Sequence, residues 1–254
     1  MKWAQRRKFI YALGTGIFVV AAVVYFTRDI LFPNPTCSDG KQNGFEIGID
    51  CGGACALKCA SEIQPEKVLW SRALEIAPLT YDLVAFVANR NINSATHNLS
   101  YMFTVYDNEG QVLVVATGTT PSQLDGEFPI IIQGVRLAKE PKNVVTTLTA
   151  GNYYAVTNTT QSPPTRTTSI RYEEDSISRV YAVITNATRF PISQLPVRVL
   201  LYDIDGNAYA SGETVIPYLD KEASQTVSFT WRTPFGKQPT KIRIYPIVDP
   251  FSGK

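Results

Sequence analysis

The most restrictive feature of the sequence is a similarity between two of its own segments, residues 81–132 and residues 177–229. The matched positions include Asn89 with Asn186, Tyr106 with Tyr202, Asp107 with Asp203, and Gly110 with Gly206. The offset stays at about 95 to 98 residues along both segments, and so constant an offset indicates a tandem duplication. Both segments should therefore adopt the same fold.

Each copy has the pattern of an antiparallel β-sandwich. Residues that favour strands recur in short runs, such as residues 102–106, 112–115 and 197–202. Acid-glycine pairs ending at Gly110 and Gly206 follow two of these runs, and glycine there suits a tight hairpin turn. Many short strands in about 90 residues, without helical periodicity, predict an immunoglobulin-like sandwich in each copy.

The apolar N-terminal segment predicts where the chain resides. Residues 9–26 carry no charge, and a helix of that length spans about 27 Å, enough to cross the bilayer core. The basic cluster at residues 2–8 predicts a cytoplasmic N-terminus. We therefore expect a single-pass protein of the cell membrane with most of its chain extracytoplasmic. A signal peptide cleaved near Ala22 is the alternative.

Charge and motif content exclude several functions. The net charge is +2, and the basic cluster at residues 2–8 supplies the excess, so a nucleic-acid partner is not expected. No glycine-rich phosphate loop follows a strand-like run. His97 is the sole histidine and lies in a loop-like stretch, which is poor ground for a catalytic triad. We expect no enzymatic activity.

The cysteines are concentrated in one short segment after the apolar run, at Cys37, Cys51, Cys55 and Cys59. Thiols oxidise outside the cytoplasm, so these residues predict two disulfides, for which three pairings are possible. The segment has few large apolar residues, and cross-links would replace the core that it lacks. A zinc site is disfavoured by the oxidising compartment and by the long first gap.

Four further residues of this segment, Asp39, Asn43, Glu46 and Asp50, are candidate calcium ligands. Counted from Asp39, Asn43 and Asp50 fall at positions five and twelve of a loop that is similar to an EF-hand. Lys41 occupies position three, where an ammonium group cannot coordinate a cation. The competing interpretation is that these side chains cap turns by accepting bonds from backbone N–H groups. We expect no other cofactor.

Two stretches resemble known families. Residues 103–107, FTVYD, resemble the FxLYD pattern of small extracytoplasmic β-sandwich domains, and residues 199–203, VLLYD, resemble it with valine at the first position. This resemblance implies immunoglobulin-like domains attached to bacterial envelope proteins, without a defined enzymatic activity. Residues 37–55 are similar to a cysteine-rich module of extracellular proteins, C-x-DG-x-x-N-x-x-E-x-G-x-DCGG-x-C.

These inferences predict a mainly β chain organised in six consecutive parts. They are a cytoplasmic tail at 1–8, a transmembrane helix with its interface at 9–32, a cysteine-rich module at 33–62, a first β-sandwich at 63–156, a linker at 157–165 and a second β-sandwich at 166–254.

The predicted function is that of a non-enzymatic envelope protein with a structural or protein-interaction role. Residues 9–32 would bind the membrane, and a protein partner could add a strand to an exposed sheet edge. The alternatives are a surface module that binds calcium or a glycan, and a subunit of a larger envelope complex.

Overall fold

The computed structural model describes residues 3–31, 35–156 and 164–252. The chain is mainly β with one long helix, so the predicted fold class is confirmed. It forms two compact units, Met1–Cys55 and Ala56–Lys254. Most of the predicted linker at 157–165 lies outside the described residues, and the predicted domain boundaries stay predictions.

The helix, α1, spans Trp3–Leu31 and therefore begins within the segment predicted as the cytoplasmic tail. Its part Arg6–Thr27 is long and apolar enough to cross a bilayer. The hydroxyls of Thr15 and Thr27 donate to carbonyls one turn earlier, at 2.8 and 2.6 Å. Both polar side chains thus find a partner inside the helix, as an apolar solvent would require.

The strands of the described residues follow a short 3₁₀ helix at Ala60–Glu62. In chain order they are β1 (Lys67–Ala77), β2 (Thr80–Asn89), β3 (Ser94–Ala95), β4 (Leu99–Tyr106), β5 (Val112–Thr120), β6 (Gly126–Arg136), β7 (Asn143–Ala150), β8 (Tyr154–Ala155), β9 (Thr165–Glu174), β10 (Ser178–Asn186), β11 (Ile192–Tyr202), β12 (Ala208–Leu219), β13 (Ser224–Trp231) and β14 (Lys241–Pro246).

The sheets form two sandwiches with matching strand order. In the first sandwich the sheet β1-β2-β6 faces the sheet β5-β4-β7, and in the second the sheet β13-β10-β9 faces the sheet β12-β11-β14. All these pairings are antiparallel. A small sheet of β3 and β8 joins the first sandwich.

Each sandwich has its own apolar core, built from the inward residues of alternating strands. The first core includes Leu83, Leu99, Phe103, Phe128 and Ile130. The second includes Ile184, Val197, Leu201, Phe229 and Trp231.

The hairpin turns after β4 and β11 have the predicted geometry. Gly110 and Gly206 have φ angles of +76° and +77°, a region that glycine enters without steric cost. Asp107 and Asp203 each accept backbone N–H bonds from the residues two and four positions later. These acids therefore fix the turns.

A third apolar cluster joins the two sandwiches. This contact was not predicted from the sequence. Val84 and Phe86 of β2 lie on the face opposite the first core, and Leu200 of β11 packs there. Trp70 stacks on Phe86 with ring centroids 5.4 Å apart, and Tyr245 of β14 meets Phe86 edge to face at 5.8 Å. Because β2 is covered on both faces, the sandwiches form one packed body.

The C-terminal segment adds a second connection between the sandwiches. Ile247 follows the last strand of the second sandwich, yet its side chain belongs to the first core. Its backbone N–H donates to the carbonyl of Pro196 at 2.8 Å. The side-chain amide of Gln123, in the first sandwich, donates to the carbonyl of Val248 at 3.0 Å.

Truncation of Leu200 should test this connection. Leu200→Ala removes a fully buried side chain from the joining cluster, and we expect a loss of about 2–5 kcal/mol in the free energy of unfolding. Calorimetry should show one transition shifted as a whole, because both sandwiches depend on the cluster.

Ile204→Ala is the control, since Ile204 is 81% exposed and its truncation should change stability by less than about 0.5 kcal/mol. Two separate transitions, of which Leu200→Ala moves just one, would contradict a single packed body.

Candidate functional site

The cysteine-rich segment is closed by disulfides, as predicted. Cys37 bonds to Cys55, and Cys51 and Cys59 are also disulfide-bonded, so none of the four is a free thiol. The sequence left three pairings open, and the Cys37–Cys55 bond fixes the choice. A thiol or thiolate at these positions is therefore not a metal ligand in this structure.

The predicted calcium ligands near the start of the module bond to the protein itself. Asp39 accepts bonds from the Lys41 backbone N–H at 2.9 Å and from Nδ2 of Asn43 at 2.8 Å. The Asn43 bond is the main reason why the pKa of Asp39 lies below its usual value. Both carboxylate oxygens of Asp50 accept from the backbone N–H of Gly40, at 3.1 and 2.9 Å.

Glu46 faces the interior of the module. Its Oε2 accepts from the Asn43 backbone N–H at 3.2 Å, and its Oε1 lies 3.5 Å from Sγ of Cys55. A disulfide sulfur has no proton, so the second distance is a contact and not a hydrogen bond. The oxygens of Asp39, Glu46 and Asp50 do not all lie within 4.8 Å of one another in the described structure. Oδ1 of Asn43 is buried without a hydrogen-bond partner.

His97 lies on the surface of the first sandwich and makes aromatic and acidic contacts. Its Nδ1 is 3.2 Å from Oδ2 of Asp249, and its ring lies 4.1 Å from that of Phe251. Tyr154 completes the aromatic group, with its ring 6.1 Å from the imidazole. These contacts attach the C-terminal residues to the first sandwich, which is a structural role for His97.

Two buried polar contacts between the sandwiches were not predicted from the sequence. Asp82 of β2 accepts from the Gly134 backbone N–H at 3.0 Å and from Oγ of Ser211 in β12 at 2.8 Å. Arg198 of β11 donates to the carbonyl of Pro129 in β6 at 2.7 Å. Burial raises the pKa of Asp82, because desolvation disfavours the charged carboxylate.

A buried hydrogen bond within the first sandwich fixes the segment that follows the cysteines. The hydroxyl of Tyr153 donates to Oε2 of Glu66, and both residues are buried. Burial raises the pKa of Tyr153, and the adjacent Glu66 carboxylate adds to the effect. The backbone N–H of Lys58 donates to the carbonyl of Tyr153 at 2.9 Å. In sequence Glu66 looks like an exposed loop acid, and no local signal indicates its burial.

An open edge strand is the feature best suited to bind another protein. β5 lies at the end of its sheet, and among the described strands it pairs with β4 alone. It contains no charged residue and no proline across nine residues. Natural edge strands commonly carry such residues, because an uncharged edge invites another strand.

The other edge strands of the two sandwiches carry charged residues or border a strand of the facing sheet, as the uncharged β13 borders β12. β9 carries Arg166, Arg171 and two glutamates, and Ser169 interrupts it with a φ of +53°. β12, which occupies the place of β5 in the second sandwich, packs against β13, β1 and β6. β7 is uncharged, but it borders β1, where Ser71 and Thr146 share a hydrogen bond of 2.8 Å. β5 has no charged residue, and its one register shift lies near its start, opposite Val105 and Tyr106.

The outer surface beside β5 is uncharged and rich in hydroxyl groups. Thr119, Ser100 and Thr149 lie in one row across the sheet, and Thr117, Met102 and Thr147 lie in the next. An open groove of about 340 Å³ runs over these rows. A strand added at β5 would extend this surface with neutral contacts.

No protein-family model and no curated protein matches the sequence. Among solved structures, the crystal structure of red sea bream transglutaminase has 10% sequence identity and a TM-score of 0.26. The alignment covers 72% of this chain and 29% of the transglutaminase chain.

The pH dependence of stability should reveal the burial of Asp82. Its folded-state pKa is raised, so the stability that it contributes is present below the unfolded pKa and is lost as the pH rises through the folded pKa. Asp82→Asn keeps the shape without titrating. We expect the difference in free energy of unfolding between Asp82→Asn and the wild type to shift in favour of Asp82→Asn as the pH rises from about 4 to 7.

Asp107→Asn is a control of opposite sign. The backbone N–H of Gln111 is the main cause of the lowered pKa of Asp107, so this carboxylate stabilises the fold above its unfolded pKa. The free energy of unfolding of Asp107→Asn should therefore fall further below that of the wild type as the pH rises. Denaturant unfolding at several pH values checks both variants, and a flat difference for Asp82→Asn would contradict the assignment.

Proposed function

We propose that this chain is a non-enzymatic, membrane-anchored protein of a bacterial envelope that presents two β-sandwich copies outside the cytoplasm and binds a protein partner. Anchoring is supported by the length and composition of α1, and an extracytoplasmic location is supported by the disulfides. A cytoplasmic N-terminus follows from the basic residues at the start of the helix. The same properties suit a subunit of a larger envelope complex.

The duplication and the FxLYD resemblance belong to this proposal. Asn89 and Asn186 support it, since both are fully buried and each donates its side-chain amide to loop carbonyls. Asp107 and Asp203 likewise make the same turn bonds in both copies. Repetition of structural roles favours fold maintenance over a single catalytic centre.

The observation that carries the binding role is the uncharged, unprotected edge of β5. An extended segment of a partner would pair with its free backbone groups, which gives affinity without charged side chains. The rigid connection of the sandwiches holds that edge in place. Rigid surfaces bind with less loss of conformational entropy than flexible ones do.

A photoreactive amino acid at Val115 should test the edge. Val115 lies on β5, and Val145 lies in the same row on β7, with exposures of 52% and 44%. In membranes of the producing cell we expect a discrete cross-linked product from position 115 and little from position 145. A product of twice the chain mass would identify the partner as a second copy.

Lysine substitutions supply the matched control. Thr117→Lys places a charge on β5 and should weaken the interaction about tenfold, or about 1.4 kcal/mol. Thr147→Lys places the same charge on β7 and should leave it unchanged. Equal cross-linking at both positions, or insensitivity to Thr117→Lys, would contradict binding at this edge.

Calcium binding by the cysteine-rich module is the second candidate. It is favoured by Oδ1 of Asn43, a buried oxygen without a hydrogen-bond partner beside Asp39, since calcium prefers such oxygen ligands. A calcium concentration one hundred times the Kd should stabilise the module by about 2.7 kcal/mol. Melting curves with and without calcium measure this effect.

Asp39→Asn should remove that shift, while Asp107→Asn in the first sandwich should retain it. No shift in the wild type would assign Asp39, Asn43, Glu46 and Asp50 to turn stabilisation alone.

A further inference from the structure

The cysteine-rich segment exposes its large apolar side chains instead of burying them. Phe45 is 86% exposed, Ile47 52% and Ile49 63%, whereas Cys55 is buried. We call Phe45, Ile47 and Ile49 the apolar tip. The disulfides stabilise this segment without an apolar core. The exposed apolar side chains therefore indicate a contact with something outside the segment.

The backbone around the apolar tip is held in one shape. Ile47 and Gly48 both donate their N–H groups to the carbonyl of Cys51, each at 3.1 Å. Gly53 has a φ of +58°, and a Cβ atom there would lie 1.7 Å from the carbonyl oxygen of Phe45. Only glycine fits this approach, so the tip is presented by a fixed loop.

The one charged side chain between the tip residues, Glu46, is half-buried. Glu46, which separates Phe45 from Ile47, turns inward to the Asn43 backbone N–H. Gly48, which separates Ile47 from Ile49, has no side chain. The most exposed side chains of the stretch 45–49 are therefore apolar.

The position of the tip in the chain indicates what it contacts. About 14 residues separate Phe45 from Leu31, the last residue of α1, and they span at most about 50 Å when fully extended. The tip and α1 also belong to the same compact unit. If α1 crosses a bilayer, this short tether allows the tip to reach the surface of that bilayer.

We propose that the apolar tip inserts into the lipid interface next to the anchor helix. This inference rests on the proposed membrane anchoring. Exposed aromatic and aliphatic side chains beside a membrane settle at the boundary between headgroups and acyl chains, about 5–10 Å deep. The stretch 45–49 contains no basic residue, which fits zwitterionic lipid, for which no cationic patch is required. The contact fixes the module against the membrane.

Fluorescence quenching in the full chain tests the insertion. The chain is reconstituted in phosphatidylcholine vesicles, with and without lipids brominated near the headgroup end of the acyl chains. Phe45→Trp is made in a Trp3→Phe background, so that the two remaining native tryptophans, Trp70 and Trp231, give a constant signal. The control is Ile204→Trp in the same background, because Ile204 is as exposed as Phe45 but lies on the second sandwich. Unchanged melting temperatures confirm that both variants fold.

We expect brominated lipid to quench the indole at position 45 about twofold or more, and the indole at position 204 not at all. Equal signals from both positions would overturn the inference. A blue-shifted but unquenched indole at position 45 would also overturn it, because protein would then cover the tip.

The native Trp3 separates this result from the anchoring itself. Quenching of Trp3 in the wild-type chain, together with no quenching of the indole in the Phe45→Trp variant, would support the anchor and contradict the tip contact alone. If Trp3 resisted quenching and alkaline carbonate extracted the chain from the vesicles, both the proposed anchor and the tip contact would be contradicted.

Discussion

The structure of residues 56–156 and 164–252 depends on the burial of β2 on both of its faces. One face supplies Leu83, Ala85 and Val87 to the core of the first sandwich, and the other supplies Val84 and Phe86 to the cluster against Leu200. A central strand that is covered twice cannot shift its register without exposing apolar side chains on one side or the other. The two sandwiches are therefore held in a single arrangement.

Polar groups make that arrangement specific. Apolar surfaces alone tolerate sliding, whereas Asp82 needs Ser211, and Arg198 needs the carbonyl of Pro129, at defined positions. Desolvating these groups costs free energy, which the apolar burial around them offsets. The result is a rigid support for the edge of β5, the feature on which the proposed interaction depends.

Local patterns predicted the strands and turns well. The runs at 102–106 and 197–202 lie within strands β4 and β11, and both acid-glycine pairs form turns. The similarities between the two copies do not indicate that the sandwiches pack together. A difference between the copies does indicate it. Residues 83–88, LVAFVA, are continuously apolar, as expected of a strand buried on both faces, whereas strand β10 alternates between buried and partly exposed residues. The disulfide pairing and the exposure of Phe45 depend on three-dimensional closure, which no local pattern encodes.

Amide hydrogen exchange of the full chain tests the central claim, that the sandwiches form one packed body. The measurement follows the central strands of both, β2 and β11, across a denaturant series. Because both strands are buried in the joining cluster, their slowest amides should exchange with the same free energy and the same denaturant dependence, through global unfolding. If β11 exchanged through a lower-energy opening that left β2 protected, the sandwiches would be independent domains and the account would be wrong.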